Sequence, residues 1–594
     1  MRLLAMAASV AAFVVTAAAG APQSAVRRVV FISFDSGTDW IADKLIAEGK
    51  APALAALAED GARADSMISV IPSLTAVAHA SLWTGAPPRV HGATDNRMLK
   101  TPTGEHTILE TRSGYLSDVL RAEPIWETAA RHGKRVFVMQ ATQGFPFTRK
   151  YPSLVTQFDV YANELMRSAV RTLTLEQKLT PFTVGETTLA VGPHGPDSVV
   201  LVAGDKSMVL TVGGGFSPPA QVRVEGRDGL VRFGLLAYDA AARQVTLTHG
   251  DVTELVSTDP AARAALLDEA GISFGESGTP HYQNGSFGKS IAEGGDGTAE
   301  RNLVRTTLVN QEYFDGILRY ASQQSWDLLV MYVPNMDIAG HALVGMLDPD
   351  APGHDPAVAA RVWPYYEQIF KACVDDYIAE LRRRLPDATV VVGADHGVEG
   401  NLRMWYPNIA LRAAGLLATT DKGQIDLSRT RAAFLHSPGG IFINSTKYKS
   451  GIVPDADRMA VKAAARKALL SARDPDSGGP LVRAVFDTEL DGAGLGVGGE
   501  VAPDLYFDST PGYGASAQAN RAELARSIAP VGAGAHGPFP WRRRLQGIFY
   551  AAGPGVRPGA RLGTVRQVDA APTVAKLLGI PPPAQSEGRA LPID

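Results

Sequence analysis

The chain has 594 residues, enough for several domains at about 100–200 residues each, or for one large core that carries insertions. Its apolar fraction of 45% and charged fraction of 20% are those of a globular protein and exclude a disordered chain or a membrane bundle. The formal net charge of −4 gives no electrostatic reason to expect a nucleic-acid polymer or an anionic membrane as partner. A single cysteine, Cys373, excludes internal disulfides and multi-thiolate metal sites, so any metal would need oxygen and imidazole ligands.

Residues 1–21 have the pattern of a secretory signal peptide. Arg2 precedes the apolar run Leu3–Val15, and small residues end the segment at Ala19-Gly20-Ala21. The alternative is a buried N-terminal helix. No Cys follows the apolar run, which excludes a lipoprotein anchor, and no later apolar run is long enough to span a membrane. The sequence therefore predicts a periplasmic or secreted protein without a membrane span.

Buried strands alternate with amphipathic helices along most of the chain. Continuous apolar runs of the kind found in parallel sheets occur at Val26–Phe34, Arg135–Met139, Asp327–Val333, Ala388–Val392 and Gly547–Ala551. Predicted helices are Asp39–Leu57, Thr75–Trp83, Pro364–Leu385, Ala460–Ala472 and Val568–Leu578. This alternation predicts an α/β fold with a doubly wound, mostly parallel sheet.

One part of the chain breaks this alternation. Short segments with period-2 hydrophobicity occur at Ser198–Ala203, Met208–Val212, Gln221–Glu225, Val231–Leu236 and Gln244–Thr248. They predict an antiparallel β insertion, which we place at residues 165–295 with its flanks. The predicted organisation is a signal peptide at 1–21, a catalytic core at 22–164 and 296–594, and the β-rich insertion between the two core segments.

Several acidic and histidine residues follow predicted strands. Asp35 ends the first strand, and ligands of such sheets bind at the carboxyl ends of strands. Asp337 and His341 are four residues apart, a spacing that lets both face one metal ion. Asp395 and His396 end another strand. Taken alone, Asp35 is better explained as a turn-capping residue, and the Asp337–His341 spacing is more often structural than metal-binding.

Thr75 would stand at the start of a helix, where free N–H groups and the helix dipole favour a phosphate-like anion. A hydroxyl bound to a divalent metal ion becomes a strong nucleophile near neutral pH. Taken alone, Thr75 is better explained as a helix N-cap. Together with the residues that follow it, however, Thr75 is better explained as a nucleophile.

Fixed spacings follow Thr75. His79 comes four residues after Thr75, and Thr84-Gly85 come nine and ten residues after it. His91-Gly92 begin sixteen residues after Thr75, and Asp95-Asn96 come twenty and twenty-one residues after it. This segment resembles the nucleophile segment of the type I phosphodiesterase/nucleotide pyrophosphatase branch of the alkaline phosphatase superfamily. The resemblance covers most of the chain after residue 21 except the β insertion, and the chain order of the candidate residues agrees with it: Asp35, Thr75, Asn96, Asp337, His341, Asp395, His396 and His536.

The resemblance implies an alkaline phosphatase-like fold and a site for two Zn²⁺. The implied ligands are Asp337, His341 and His536 for one ion and Asp35, Thr75, Asp395 and His396 for the other. By the same resemblance Thr75 would form a phosphoryl-enzyme intermediate, and the Asn96 amide would bind a non-bridging phosphate oxygen. The implied partner is a small-molecule phosphate ester.

The preferred ester is less closely specified. Monoesterases with a Thr nucleophile carry a Lys-x-Arg pair after the strand that corresponds to Arg135–Met139, and this chain lacks the pair, although Arg149 or Lys150 could approach from a loop. The sequence therefore favours a diester or a phosphonate monoanion. Nucleotide-cleaving members commonly carry an aromatic residue directly after the nucleophile, where this chain has Ala76. Ala76 and Phe145 are candidate substrate contacts.

Three hypotheses follow. The leading one is a periplasmic or secreted two-zinc phosphodiesterase with Thr75 as nucleophile. A phosphomonoesterase or phosphonate hydrolase that uses the same site is the alternative enzyme. A metal-stabilised binding protein without turnover is the alternative of another class. The sequence around Cys373 does not match a sulfatase nucleophile motif, and Thr75 with the export signal disfavours a cofactor-independent mutase.

Overall fold

The computed structural model describes residues 28–147, 155–159, 164–176, 178–436, 440–537 and 539–594, so the predicted signal peptide lies outside the described residues. A nine-stranded sheet forms the centre of the molecule. Its strands lie in the order Val256–Ser257, Val155–Asp159, Val136–Met139, Leu328–Val333, Arg28–Phe34, Ala388–Gly393, Tyr550–Ala552, Gly61–Arg63 and Ala560–Arg561. The strands from 155–159 to 388–393 are all parallel, which confirms the predicted mostly parallel sheet.

Both faces of this sheet are buried. In the first strand Val30 and Ile32 join one core cluster, while Val29 and Phe31 join the cluster on the other face. This explains why the strand is apolar at every position and not only at alternate ones. The α-helices of the described chain are Asp39–Ala47, Pro52–Glu59, Thr75–Thr84, Pro88–His91, Ile125–Arg131, Pro260–Ala270, Gly278–Gln283, Thr298–Ser322, Asn335–Leu347, Pro356–Phe370, Asp376–Arg384, Pro407–Ala413, Asp455–Ser471, Thr488–Leu495 and Ala570–Leu578.

Two helices differ from the sequence predictions. The first predicted helix is in fact two, because Gly49 adopts a left-handed conformation with φ of +69° and Pro52 begins the second helix. The helix that contains Pro364 begins earlier, at Pro356, where the Asp355 carboxylate accepts backbone N–H groups of the first turn. The cap and not the internal proline therefore determines where this helix starts.

The β insertion consists of three antiparallel sheets with a core of their own. The first sheet contains Thr180–Val184, Thr187–Pro193, Ser198–Ala203 and Lys206–Thr211. The second contains Ala220–Val224, Arg227–Val231, Val252–Thr253 and Glu164–Met166. The third contains Phe233–Asp239, Gln244–His249 and Ala169–Thr174. After Thr253 the chain pairs again with the central sheet, and the helix Pro260–Ala270 packs on the core helix Thr298–Ser322. The β-structured part of the insertion is thus residues 164–253.

A smaller lobe near the C-terminus contains a four-stranded antiparallel sheet, and its core cluster also includes residues between positions 80 and 120. Its strands are Ala432–Phe434, Gly440–Ile443, Leu505–Ser509 and Val482–Asp487. The remaining short strand groups are Ser66–Ile68 with Thr564–Arg566, Arg97–Leu99 with Thr111–Ser113, Glu399–Asn401 with Ala533–Ala535, and Arg403–Trp405 with Tyr513–Ala515 and Ala525–Ser527. None of the described helices is both long and apolar enough to cross a membrane.

Candidate active site

Three adjacent parallel strands bring the candidate ligands to one edge of the sheet. Asp35 follows the strand Arg28–Phe34, and Asp395 and His396 follow Ala388–Gly393. Asp337 lies in the first turn of the helix that follows the strand Leu328–Val333. Because the carboxyl ends of parallel strands meet at the same edge, residues some 300 positions apart in the chain become neighbours.

Asp35, Asp395 and His396 form one group of possible metal ligands, with ligand atoms within 4.8 Å of one another. The Nε2 atom of His396 lies 2.9 Å from Oδ2 of Asp395 and 3.6 Å from Oδ1 of Asp35. All three side chains are buried. This group contains the ligands that the sequence assigned to one metal ion, apart from Thr75.

Asp337, His396 and His536 form a second group by the same criterion. The Nε2 atom of His536 lies 3.7 Å from Oδ1 of Asp337, and that of His341 lies 3.4 Å from Oδ2 of Asp337. The rings of His341 and His536 are 5.1 Å apart. Asp337, His341 and His536, predicted to share one ion, therefore lie together, with His396 between the two groups.

Backbone contacts fix which ring nitrogen of two histidines faces the site. Nδ1 of His341 lies 2.7 Å from the carbonyl oxygen of Gly534, and Nδ1 of His536 lies 2.9 Å from that of Ser73. A hydrogen bond from Nδ1–H to a carbonyl leaves the lone pair of Nε2 available for a metal ion. Both Nε2 atoms face Asp337.

The carboxylates of Asp35 and Asp395 each have one oxygen held by the protein and one that is not. Oδ2 of Asp35 accepts the Tyr332 hydroxyl at 2.8 Å, and Oδ1 of Asp395 accepts the backbone N–H of Ser36 at 3.1 Å. Oδ1 of Asp35 and Oδ2 of Asp395 are buried with unsatisfied hydrogen-bonding capacity among the described residues, and His396 Nε2 lies 3.6 and 2.9 Å from them. Orphaned anionic oxygens beside imidazole nitrogens fit a divalent cation, as oxygen and imidazole ligands require.

The charges of the site are strongly coupled. Burial raises the pKa of Asp35 well above its ordinary value, and the carboxylates of Asp395 and Asp337 raise it further. Burial also acts to raise the pKa of Asp395, but His396 and His79 outweigh it and lower that pKa. Burial lowers the pKa of His536 to about 3, with a contribution from His396. A bound cation would stabilise this set of carboxylates and neutral imidazoles.

Thr75 begins the helix Thr75–Thr84 directly beside these groups. Its Oγ1 lies 3.4 Å from Nε2 of His396. The Asn96 side-chain oxygen accepts the backbone N–H of Ala76 at 2.9 Å, which leaves the Asn96 NH₂ group for another acceptor. His79 lies next to both Thr75 and Asp395: its Nδ1 atom is 2.9 Å from the Thr75 carbonyl oxygen and 3.4 Å from Oδ2 of Asp395.

Sequence reasoning missed several residues that hold the site together. Ser36 adopts a φ of +54°, and its hydroxyl donates to Oδ1 of Asp337 at 2.7 Å and lies 3.3 Å from Nδ1 of His396. The Tyr115 side chain shares a hydrogen bond with Thr75. The position of Ser36 directly after Asp35 was a usable signal, whereas nothing in the local sequence marks Tyr115.

A sequence model described as type I phosphodiesterase/nucleotide pyrophosphatase matches residues 29–189 and 279–538. The match covers well over half of the chain and includes every candidate ligand. The chain belongs to this family. The family resemblance expected from the Thr75 segment is thereby confirmed, and the protein is a hydrolase of the phosphodiesterase/nucleotide pyrophosphatase type.

Solved structures with similar folds include human ectonucleotide pyrophosphatase/phosphodiesterase 5, which is 13% identical in sequence. The alignment covers 93% of this chain and 95% of the human chain with a TM-score of 0.47. An inactive variant of the murine protein in complex with AMP is also 13% identical, with 94% and 96% covered and a TM-score of 0.47. Individually curated protein sequences give no match.

The two predicted substrate contacts, Ala76 and Phe145, differ in exposure, since Phe145 is only partly buried. The Ala76 side chain is completely buried, and the Ala76 carbonyl accepts the side-chain NH₂ of Gln143 at 2.9 Å. Phe145 packs edge-on against Phe147, with ring centroids 5.4 Å apart. Neither residue lines the cavity that contains His341 and His536 or the cavity that contains Tyr115 and Tyr332. Their roles in substrate binding stay predictions.

Proposed function

We propose that the protein is a phosphodiesterase that uses Thr75 as nucleophile at a site for two Zn²⁺. The observation that carries this proposal is that the Thr75 hydroxyl, at a helix N-terminus, lies 3.4 Å from Nε2 of His396, which belongs to both groups of metal ligands. An alcohol in that position is activated by metal coordination, and a phosphate ester there is met by the free N–H groups of the helix.

We assign Asp35, Asp395 and His396 with Thr75 to one ion, and Asp337, His341 and His536 to the other. When bound, the pair of ions would lower the pKa of the Thr75 hydroxyl and neutralise charge on the phosphoryl oxygens. Ser36 and Tyr332 hold the carboxylates of these groups in place. These contacts pre-organise the ligands before the metal and the substrate bind.

In the first step the Thr75 hydroxyl gives its proton to solvent, its oxygen forms a bond to phosphorus, and the bond between phosphorus and the leaving oxygen breaks. The departing alkoxide takes a proton from solvent and leaves as an alcohol. In the second step water attacks phosphorus and loses a proton, the bond to the Thr75 oxygen breaks, that oxygen takes up a proton, and a phosphomonoester is released. The Asn96 NH₂ group donates a hydrogen bond to a non-bridging oxygen as its negative charge increases.

The charges near Thr75 favour a diester over a monoester. Among the described residues that line the cavity next to Tyr115 and Tyr332, Arg167 is the only lysine or arginine, and it is paired with Glu164 at 3.0 Å. A dianionic monoester would meet acidic side chains without a matching cation, whereas a diester carries one negative charge less. Arg149 and Lys150, which could alter this balance, lie outside the described residues.

Comparison of hydrolysis rates for bis-p-nitrophenyl phosphate and p-nitrophenyl phosphate tests this assignment. We expect the zinc-loaded protein to hydrolyse the diester faster, and Thr75→Ala to lower kcat by at least about 1,000-fold because no nucleophile replaces the hydroxyl. Metal content, measured by mass spectrometry, should stay near that of the wild type. Thr172→Ala, a substitution in the β insertion, is the matched control and should retain full activity.

Two outcomes would contradict the proposal. Faster hydrolysis of the monoester would support the alternative phosphomonoesterase. A protein that holds its metal ions but shows no Thr75-dependent turnover of any phosphate ester or phosphonate would be a metal-stabilised binding protein.

We also propose that the protein is exported, on the basis of the signal-like residues 1–21. Cleavage within this segment, measured by N-terminal sequencing of protein from the periplasm or medium, is the expected result.

A further inference from the structure

Gln567 lies in a short turn directly before the helix Ala570–Leu578, and its side chain is completely buried. The preceding strand Thr564–Arg566 pairs in parallel with Ser66–Ile68, which brings this turn against the part of the chain that leads to Thr75. The family match ends at residue 538, so Gln567 lies outside the matched residues. A polar side chain that is buried this completely needs hydrogen-bond partners, and those partners show what it holds in place.

The Gln567 amide connects two segments that are distant in the chain. Its NH₂ group donates to the carbonyl oxygens of Asp395 at 2.7 Å and of Ala394 at 3.1 Å. Its side-chain oxygen accepts the Ser69 hydroxyl at 3.3 Å and the backbone N–H of Val70 at 3.4 Å. The backbone partners fix this orientation, because a carbonyl can only accept a hydrogen bond and an N–H can only donate one. Each end of the amide is thus engaged by one of the two segments.

The first segment carries two of the candidate metal ligands. The carbonyl of Asp395 belongs to the planar peptide unit that joins Asp395 to His396. A hydrogen bond to this carbonyl resists rotation of the peptide unit, and such a rotation would turn both side chains. His396 belongs to both groups of candidate ligands. The Gln567 NH₂ group therefore acts on both groups through one peptide unit.

The second segment leads to the proposed nucleophile. Thr75 follows Val70 by five residues. Between them, the carbonyl oxygen of Ser73 lies 2.9 Å from Nδ1 of His536, so this segment also holds a candidate ligand. A shift of this segment relative to the end of the strand Ala388–Gly393 would change the distance of 3.4 Å between Oγ1 of Thr75 and Nε2 of His396.

We infer that Gln567 is a positioning residue, which holds the Asp395–His396 peptide unit at a fixed distance from the segment that leads to Thr75. Its hydrogen bonds reach neither the Thr75 hydroxyl nor the side chain of a candidate ligand, so it acts through the backbone. Loss of a contact that orients metal ligands typically weakens metal binding by about 10–100-fold. A displacement of about 1 Å at a reacting group can lower the rate by about 100-fold. The effect on rate rests on the proposed phosphodiesterase function, whereas the effect on metal binding does not require turnover.

Gln567→Met tests this inference, because methionine has a similar length and cannot form the hydrogen bonds of the amide. We expect the zinc affinity, measured by competition with a chelating dye, to fall by at least about tenfold. With zinc at saturation, kcat for bis-p-nitrophenyl phosphate should fall by about 10–100-fold with little change in KM, because Gln567 places the nucleophile and does not bind the substrate. A substitution that only weakened the fold would lower the melting temperature without these changes.

Asn408→Leu is the matched control. Asn408 is also completely buried, and its NH₂ group donates to the carbonyl oxygens of Phe434 and Ala517 at 2.9 and 2.7 Å. Its side-chain oxygen accepts the backbone N–H of Phe434 at 2.8 Å. Both partners belong to the smaller C-terminal lobe. Asn408→Leu should therefore lower the melting temperature but keep the zinc affinity and kcat of the wild type.

Gln567→Asn serves as a second variant in case Gln567→Met does not fold. Asparagine keeps the amide but is one methylene group shorter, so it cannot reach both segments, and the zinc affinity should again fall. Wild-type zinc affinity and kcat in either folded variant, or equal losses of both in Asn408→Leu, would overturn the inference.

The zinc titration separates this inference from the proposed reaction. If the wild type hydrolyses no phosphate ester, but zinc binding is weaker in Gln567→Met and unchanged in Asn408→Leu, the reaction is wrong and the positioning role is right. If the wild type hydrolyses the diester and Gln567→Met keeps wild-type zinc affinity and kcat, the positioning role is wrong and the reaction is right.

Discussion

His91 illustrates how a single residue of the family motif can have a structural role. Its ring is completely buried, with Nε2 2.8 Å from the Ser81 hydroxyl and Nδ1 accepting the backbone N–H of Ala93 at 3.1 Å. The ring thus joins the Thr75 helix to the turn that leads to Asn96. Burial lowers the pKa of His91 to about 3, which keeps the imidazole neutral.

This shift predicts a pH dependence of stability. Between pH 3 and the ordinary value of 6.5 the unfolded chain binds a proton at His91 that the folded chain does not, so the free energy of unfolding rises with pH. The contribution has a slope of up to about 1.4 kcal/mol per pH unit. His91→Gln should reduce the slope measured by urea unfolding at pH 4.5–6.5 in the presence of a chelator. His132→Gln, at an exposed position, is the control, and equal slopes in wild type and His91→Gln would contradict the prediction.

At the scale of a single element, the loop 274–277 depends on a glycine. Gly275 has a φ of +95°, and a Cβ atom at this position would lie 2.0 Å from Oδ2 of Asp251. The close approach is what lets Asp251 accept hydrogen bonds from the loop. A side chain at position 275 must therefore move either Asp251 or Glu276.

Gly275→Ala should destabilise the protein by more than the cost of placing an alanine in a left-handed conformation. Gly204 has a φ of +62° and open space around its Cβ position, so Gly204→Ala should cost only the left-handed strain of roughly 1–2 kcal/mol. We expect Gly275→Ala to lower the melting temperature more than Gly204→Ala. Equal melting temperatures for the two variants would show that Asp251 does not constrain the loop.

At the scale of the whole molecule, the site is assembled from the two ends of the chain. Asp35 follows the first described strand, and His536 follows the smaller C-terminal lobe. Arg542 contacts the carboxylates of Glu399 in the core and Asp508 in that lobe, so the segment after His536 is tied to both. Metal binding and global stability are consequently linked.

Removal of metal should destabilise the whole protein. Without a cation, the buried carboxylates of Asp35, Asp337 and Asp395 repel one another at the centre of the sheet edge. Zinc at a hundredfold excess over its dissociation constant would add about 2.7 kcal/mol to the free energy of unfolding. EDTA should therefore lower the melting temperature and added zinc restore it, in the wild type and in Thr75→Ala. A melting temperature that is insensitive to both would contradict the assigned metal ligands.

The sequence by itself determined the sheet, the family and the set of candidate ligands. Apolar runs of the parallel type end directly before Asp35 and Asp395, and fixed spacings surround Thr75, so local patterns were sufficient. The separate C-terminal lobe was not predicted, because its four strands are short and come from distant parts of the chain.

Only the tertiary structure decided how these residues meet. It placed His396 in both ligand groups, gave Ser36 its contacts with Asp337 and His396, and brought Asp251 and Glu276 to the same cavity as Tyr115 and Tyr332. The physical reason is that these are contacts between residues far apart in the chain. Hydrophobic periodicity and short motifs describe local structure, whereas the charge of a cavity wall depends on which distant segments fold against each other.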